Sequence, residues 1–357
     1  MTYAVVTGGG TGGHVYPGLA LARELVARGH AHGTISFVGV RRGLEAKVVP
    51  DAGFEIQLLP GRGLERRMSL RNVRTAWDTA VACRRAYGLL QRLRPRVVVG
   101  FGGYASLPCL LAATVLRIPR IVHDQDSAPG LANRIAVRLG AKAAVSLPGT
   151  PLRGAVLTGN PVRSELVRSV RDPAIPPLLA CFGGSLGATS INDAALDLYD
   201  RWRHRDDVAI HHVSGPRNET DCRRRLDDLR RPDDALAYEL VGYEDRMDTL
   251  LSRSAVALTR AGAGAVAELA AAGTPAIFVP LPGAPSDHQT RNAETLAKAG
   301  AAVVVADQDL ARLLPTVADE LLGDPERLEA MSKAARGLAH LDAAARLADL
   351  VEGVAGG

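Results

Sequence analysis

The chain has 357 residues, more than one folding domain usually holds, so two domains are expected. Hydrophobic residues make up 47% and aromatics 4%, which predicts aliphatic cores, and the four scattered cysteines exclude a zinc cluster or a disulfide framework. A net charge of +5 suits an anionic substrate or an acidic membrane surface, and the absence of any nucleic-acid-binding motif or aromatic–basic interleaving argues against a nucleic-acid partner.

Met1-Thr2-Tyr3 lacks a basic region and the apolar start breaks at Gly8, so no signal peptide is expected. Residues 2–7 predict a strand and residues 17–28 a helix that starts at Pro17 and is capped by Gly29. Between them, Gly8, Gly10 and Gly13 satisfy the G-x-G-x-x-G dinucleotide pattern. An NAD enzyme would place an acidic residue after the second strand, residues 35–38. Arg41 and Arg42 follow instead and would suit NADP. A third reading is that the glycines let a sugar or diphosphate approach the backbone. His14 lies in this loop, suited either to general-base work near neutral pH or to capping and substrate orientation.

Residues 41–50 and 61–68 read as basic loops around a strand and a helix. Residues 70–94 predict a helix with Val73, Trp77 and Val81 on one face, surrounded by Arg71, Arg74, Arg84, Arg85, Arg92 and Arg94. Such a helix packs on a sheet, or lies on a membrane surface if its apolar patch is exposed. Residues 97–116 carry no charge and could span a bilayer by length. Gly100, Gly102, Gly103 and Pro108 instead divide them into strand, glycine loop and buried helix. Residues 118–123 predict a strand running into HDQDSAPGLANR, residues 143–146 another, and 157–163 (LTGNPVR) a linker.

The second half repeats this logic. Strands are expected at 177–182, 208–213, 240–243, 256–258 and 276–280, and helices at 219–229, 244–251 and 265–272, the last stopped by Gly273. A helix begins near Gln289, and C-terminal helices are expected at 311–322, 325–339 and 343–351. Two successive α/β halves with glycine loops at strand ends predict two Rossmann-like domains facing each other across a cleft. Glu268, about one turn into its helix, could accept hydrogen bonds from a ribose diol. Gln289 and Asn292 share a helix face and could present amides to sugar hydroxyls. Singly these residues read as solvated surface; converging on one strand edge, they read as a nucleotide-sugar site.

Residues 259–302 resemble the donor-binding segment of the UDP-N-acetylglucosamine:lipid I N-acetylglucosaminyltransferases of peptidoglycan synthesis. The resemblance spans nearly the whole chain through GGGTGGHVYPGLALA, GFGGYASLP, HDQDSAPGLANR, TGNPVR, GGSLGA and the RAGAGAVAEL to DHQTRNA block, in family order. It implies a GT-B fold, with an acceptor and membrane-side domain over 1–160, a donor domain over 164–340, and a helix over 341–357 returning to the first. It implies transfer of N-acetylglucosamine to the 4-hydroxyl of the muramoyl sugar on undecaprenyl diphosphate, with inversion, giving lipid II for the wall on which cell shape and division depend. The implied partners are UDP-N-acetylglucosamine, that lipid-linked muramoyl peptide, and the anionic surface of the membrane's cytoplasmic face.

By position, the resemblance gives donor contacts to Thr11, Gly12, Gly13, Asp126, Arg163 and Ser185, and the reading of uracil to the backbone of Glu244. The nucleotide falls to Ala263, Gly264, Ala265, Val266, Ala267 and Glu268, and the sugar to Gln289 and Asn292. Gly10, His14, Gly102, Gly103 and Tyr104 fall on the acceptor side. His14 is the candidate base and Asp126 its rival. No cofactor is expected, and whether a metal assists stays open. Two departures bear on donor selectivity: Asp126 replaces the family's usual amide and Leu186 its glutamine. The alternatives are a UDP-sugar transferase acting on another lipid or natural-product acceptor, and an NADP-dependent oxidoreductase.

Overall fold

The computed structural model describes residues 2–41, 43–60, 71–184, 187–284 and 287–356, without the side chains of 71–78. The chain divides into two units, Met1–Arg163 with His340–Gly357 and Ser164–Ala339.

The first unit runs β1 (Ala4–Thr7), α1 (Gly12–Ala27), β2 (Ile35–Val40), α2 (Glu45–Asp51), β3 (Glu55–Leu59), α3 (Arg71–Leu93), β4 (Val97–Gly100), α4 (Ser106–Val115), β5 (Arg120–Asp124), α5 (Leu131–Arg138), β6 (Lys142–Val145) and β7 (Val156–Leu157). Its strands form one parallel sheet in the order β3-β2-β1-β4-β5-β6-β7. Strand side chains alternate between faces, so a sheet covered on both sides reads as a continuous apolar run. Val5, Val98 and Val122 therefore pack with Leu89, Leu90 and Leu110 under α3 and α4. Ala4, Val6, Val97, Val99 and Ile121 pack with Leu21 and Leu25 of α1 on the other face.

The second unit runs α6 (Ser164–Arg168), β8 (Leu178–Phe182), α7 (Thr189–Trp202), β9 (Ala209–Val213), α8 (Glu219–Leu229), β10 (Ala237–Val241), α9 (Met247–Arg253), β11 (Ser254–Thr259), α10 (Ala263–Ala272), β12 (Ala276–Phe278), α11 (His288–Lys298), β13 (Ala302–Val304), α12 (Leu310–Leu322) and α13 (Pro325–Gly337). Its parallel sheet has the order β10-β9-β8-β11-β12-β13, again with an apolar cluster on each face. The last helix, α14 (Ala343–Ala355), belongs to the first unit. Leu347, Ala348 and Val351 are buried there against α1. Arg28 at the end of α1 donates to Asp349 at 2.6 Å, Glu352 at 2.9 Å and the Ala345 carbonyl at 2.9 Å.

Several boundaries differ from the sequence reading. Helix α1 starts at Gly12 with Pro17 inside it, which places His14 in its first turn and not in a loop. Helix α2 lies within the stretch read as a basic loop. Strand β10 falls at Ala237–Val241, three residues before the expected span, because only Leu240 of this edge strand is buried and the apolar signal is weak. Helix α9 begins at Met247 because Glu244 accepts the Arg246 N–H ahead of it at 2.7 Å. Gly273 caps α10 in the left-handed conformation, φ +69°, as expected. Among the described residues no helix is long and apolar enough to cross a membrane.

Candidate functional site

In both sheets the strand order reverses between two neighbours, β1/β4 in the first unit and β8/β11 in the second. Loops leaving such a pair diverge to opposite faces and open a crevice at the carboxyl edge, where open α/β sheets bind ligands.

In the first unit these loops are 8–11 and 101–105. The Phe101 N–H donates to the Thr7 carbonyl at 2.8 Å. Gly103 has φ +78°, and a β-carbon there would collide with the Gly9 carbonyl, so glycine is required on two counts. His14 Nδ1 lies 3.1 Å from the Gly9 carbonyl and 3.3 Å from Thr11 Oγ1. A carbonyl can only accept, so Nδ1 carries a proton, and in the neutral ring the lone pair is on Nε2. Nε2 faces Gly102, where an added β-carbon would sit 3.2 Å away. His14 is half-buried, while Gly10 and Thr11 are exposed. Tyr104 places its hydroxyl 3.5 Å from Thr79 Oγ1 of α3.

The loop after β5 is tied to the same edge. The buried Asp124 accepts from the Asp126 N–H at 3.2 Å, the Gly130 N–H at 3.0 Å and Asn133 Nδ2 at 2.9 Å. Burial still pushes its carboxyl above the usual carboxylate range, against the pull of those donors. Asp126 is half-buried beside it. Gln125 Nε2 donates to the Phe101 carbonyl at 3.2 Å and to His123 Nδ1 at 3.3 Å; His123 Nε2 donates to the Gly159 carbonyl at 2.9 Å. Burial pushes the His123 imidazole down to about 4. Arg163 stacks its guanidinium 4.3 Å above the Tyr16 ring of α1.

In the second unit the loops are 183–188 and 260–262. Ser185 and Leu186 lie outside the described residues. Gly187 has φ +77°, and a β-carbon there would collide with the Ser214 carbonyl. Helix α10 follows Gly262, which brings no side-chain cap to the first-turn N–H groups. Such a helix start, with its positive dipole end, favours a phosphate. Val266 turns into the core, so the Ala263 to Ala267 turn offers backbone and not side chains. Glu268 is half-buried in the second turn.

The amides of Gln289 and Asn292 have separate tasks. Asn292 is 0% exposed and its Nδ2 donates to the Ala261 carbonyl at 3.2 Å, so it supports the turn that leads into α10. Gln289 is half-buried and accepts the Leu281 N–H on Oε1 at 2.9 Å, a contact that does not use Nε2. The side chain of Glu244 is engaged within the unit, by the Arg246 N–H and, at 3.2 Å, by His211 Nε2.

Sequence reasoning missed the residues that brace these loops. Arg260 Nη1 donates to the Val279 and Pro280 carbonyls and to Asp307 at 2.6 Å, and Nη2 to Ser190 Oγ at 2.8 Å. Ser190 also donates to Asp307 at 2.7 Å. This network joins the turn before α10 to the first residues of α7. In the first unit the brace is Glu45, 1% exposed, which accepts the Gly10 and Val40 N–H groups at 2.9 Å each. Among the described residues no three His, Cys, Asp or Glu side chains converge as metal ligands would.

Residues 4–145 match the glycosyltransferase family 28 N-terminal domain and residues 178–348 its C-terminal domain. The chain is 40% identical over 361 residues to the UDP-N-acetylglucosamine--N-acetylmuramyl-(pentapeptide) pyrophosphoryl-undecaprenol N-acetylglucosamine transferase of Alkalilimnicola ehrlichii, covering 96% of each. It is 38% identical over 368 residues to the protein of the same name from Cutibacterium acnes, covering 98% of this chain and 96% of that one. Among solved structures, Acinetobacter baumannii MurG matches with a TM-score of 0.75 at 27% identity, covering 99% of this chain and 100% of that one.

Proposed function

The chain belongs to glycosyltransferase family 28, and from that premise we propose that it transfers N-acetylglucosamine from UDP-N-acetylglucosamine to the lipid-linked muramoyl pentapeptide that its relatives' names specify, forming lipid II. The acceptor hydroxyl is the 4-hydroxyl of the muramoyl sugar. Its oxygen bonds to the anomeric carbon as the bond to the diphosphate oxygen breaks, so configuration inverts and UDP leaves.

The observation that carries the chemistry is the oriented His14. Its Nδ1 proton is held by the Gly9 carbonyl, so Nε2 is available to take the hydroxyl proton as the new bond forms. In the second unit, the positive dipole end of α10, which follows Gly262, stabilises the charge that develops on the diphosphate, without a proton. Glu268 serves the ribose diol and Gln289 the sugar, while Asn292 and Arg260 hold the turn beneath them.

The oxidoreductase alternative is disfavoured by Glu45. A dinucleotide pyrophosphate on the first glycine loop would need the Gly10 N–H, and a carboxylate already accepts it. Peripheral binding at the cytoplasmic face of the membrane is supported by the lipid-linked acceptor and by Arg84, Arg85, Arg92 and Arg94, all exposed on or just after α3. Val73, Trp77, Arg71 and Arg74 have side chains outside the described residues.

The deciding experiment incubates the protein with UDP-N-acetylglucosamine and a lipid I analogue and assays for disaccharide. Disaccharide formation is expected. UDP release that needs a different acceptor would move the assignment to a related transferase. Thermal stabilisation by NADP without stabilisation by UDP would overturn it.

A further inference from the structure

The peptide joining Gly9 to Gly10 is held at both ends. Its carbonyl accepts from His14 Nδ1 at 3.1 Å, and its N–H donates to Glu45 Oε2 at 2.9 Å. The other carboxylate oxygen accepts the Val40 N–H at the end of β2, also at 2.9 Å. Glu45 opens α2, whose N-terminal dipole favours a negative charge, and is almost wholly enclosed. A β-carbon at Gly9 or Gly43 would collide with its carboxylate and one at Gly39 with its Cγ, so three glycines make the room the side chain occupies.

The geometry points to Glu45 as the positioning residue of His14, acting through this single peptide. A carboxylate on the N–H draws positive charge toward the nitrogen and leaves the carbonyl oxygen more negative. Hydrogen bonds in such a chain strengthen one another. The carbonyl then holds the Nδ1 proton more firmly, which keeps the Nε2 lone pair exposed to the acceptor hydroxyl. Because the N–H is fixed as well, the peptide plane cannot rotate to release the imidazole. The arrangement resembles a carboxylate orienting a histidine directly, with one amide interposed. The inference rests on the reading of His14 as the base.

The test reads the His14 tautomer by 15N NMR in the full chain without substrate, with the His14 signal identified by its loss in His14→Gln. The wild type should show the proton on Nδ1. In Glu45→Gln the side-chain NH2 meets one of the two backbone N–H groups, donor against donor, and in either orientation the charge that polarises the 9–10 peptide is lost. The expected result is a mixture of tautomers, and turnover lower by roughly 10- to 100-fold, less than loss of the base itself. Thermal stabilisation by UDP, which reads the second unit, should not change. If Glu45→Gln does not fold, Glu45→Asp carries the test. Its carboxylate, one methylene shorter, cannot reach both amides, so a smaller change of the same kind is expected.

An unchanged Nδ1–H tautomer in the folded variant overturns the proposal whether or not turnover falls, since a simple brace would leave the tautomer alone. If the tautomer shifts while even the wild type transfers no sugar, the transferase reading fails and the coupling of Glu45 to His14 stands.

Discussion

Replacing His14 by alanine removes the one imidazole whose Nδ1 is tied to the glycine loop. Turnover should fall by roughly a hundredfold or more, the usual scale of general-base catalysis, with UDP affinity unchanged. A raised Michaelis constant for acceptor at steady turnover would instead make His14 a substrate-positioning group and bring Asp126 forward. Glu268→Ala should weaken UDP binding and leave the fold intact, since charge-assisted bonds to a diol act mainly on affinity; an unchanged UDP dissociation constant by calorimetry would remove Glu268 from the site. His14 and Glu268 could be proposed from the sequence because their chemistry resides in the side chain and their spacing from a glycine turn is local. Glu45 was not, because its partners are backbone N–H groups, one of them 35 residues away, and these leave no side-chain pattern. The trace it did leave is the trio Gly9, Gly39 and Gly43. Asn292 shows a related limit: helical spacing placed it on the same face as Gln289, but burial, not spacing, decides that its amide serves the Ala261 carbonyl.

Among the elements, α14 carries the clearest energetic prediction. Leu347 is fully buried in the first unit's core, so Leu347→Ala should destabilise that unit by about 2–5 kcal/mol, read by urea unfolding. The ion cluster at the helix end has a pH signature. The hydrogen bond from His30, followed by that from Arg28, holds the Glu352 carboxyl below its ordinary value. A depressed acid stabilises the fold above the ordinary carboxylate range and loses that contribution as pH falls through it. Glu352→Gln should remove this part of the acid sensitivity. The apolar period of α14 made it visible in the sequence, but its partner α1 was not. Boundaries failed where tertiary contacts override local signals: Pro17 marked a start that the fold places five residues earlier, and β10 has too few buried positions to show a pattern.

For the whole molecule, alternating strand and helix signals revealed two parallel sheets, because each buried strand is an apolar run closed by a glycine loop. The pairing order β3-β2-β1-β4 and the matching reversal at β8/β11 are long-range and appear only in the folded chain. Each unit also buries a neutral histidine, His123 in the first and His212 in the second, and burial pushes both down to about 4. A base depressed by folding lends stability that is complete above its unfolded value near 6.5 and drains as pH falls toward 4. Each unit should lose about 1.4 kcal/mol per pH unit across that window. Urea unfolding at about pH 7 and about pH 5 measures this, and His123→Gln should flatten the slope for the first unit. The return of α14 has a further consequence, in time. The second unit is continuous in sequence, whereas the first is interrupted by all of residues 164–339. On a ribosome adding roughly 5–20 residues per second, the nascent first unit waits on the order of ten seconds or more for its final helix. Through that interval the α1 surface that will meet Leu347 and Val351 stays uncovered, so the second unit can finish folding while the first, begun earlier, remains a client for chaperones.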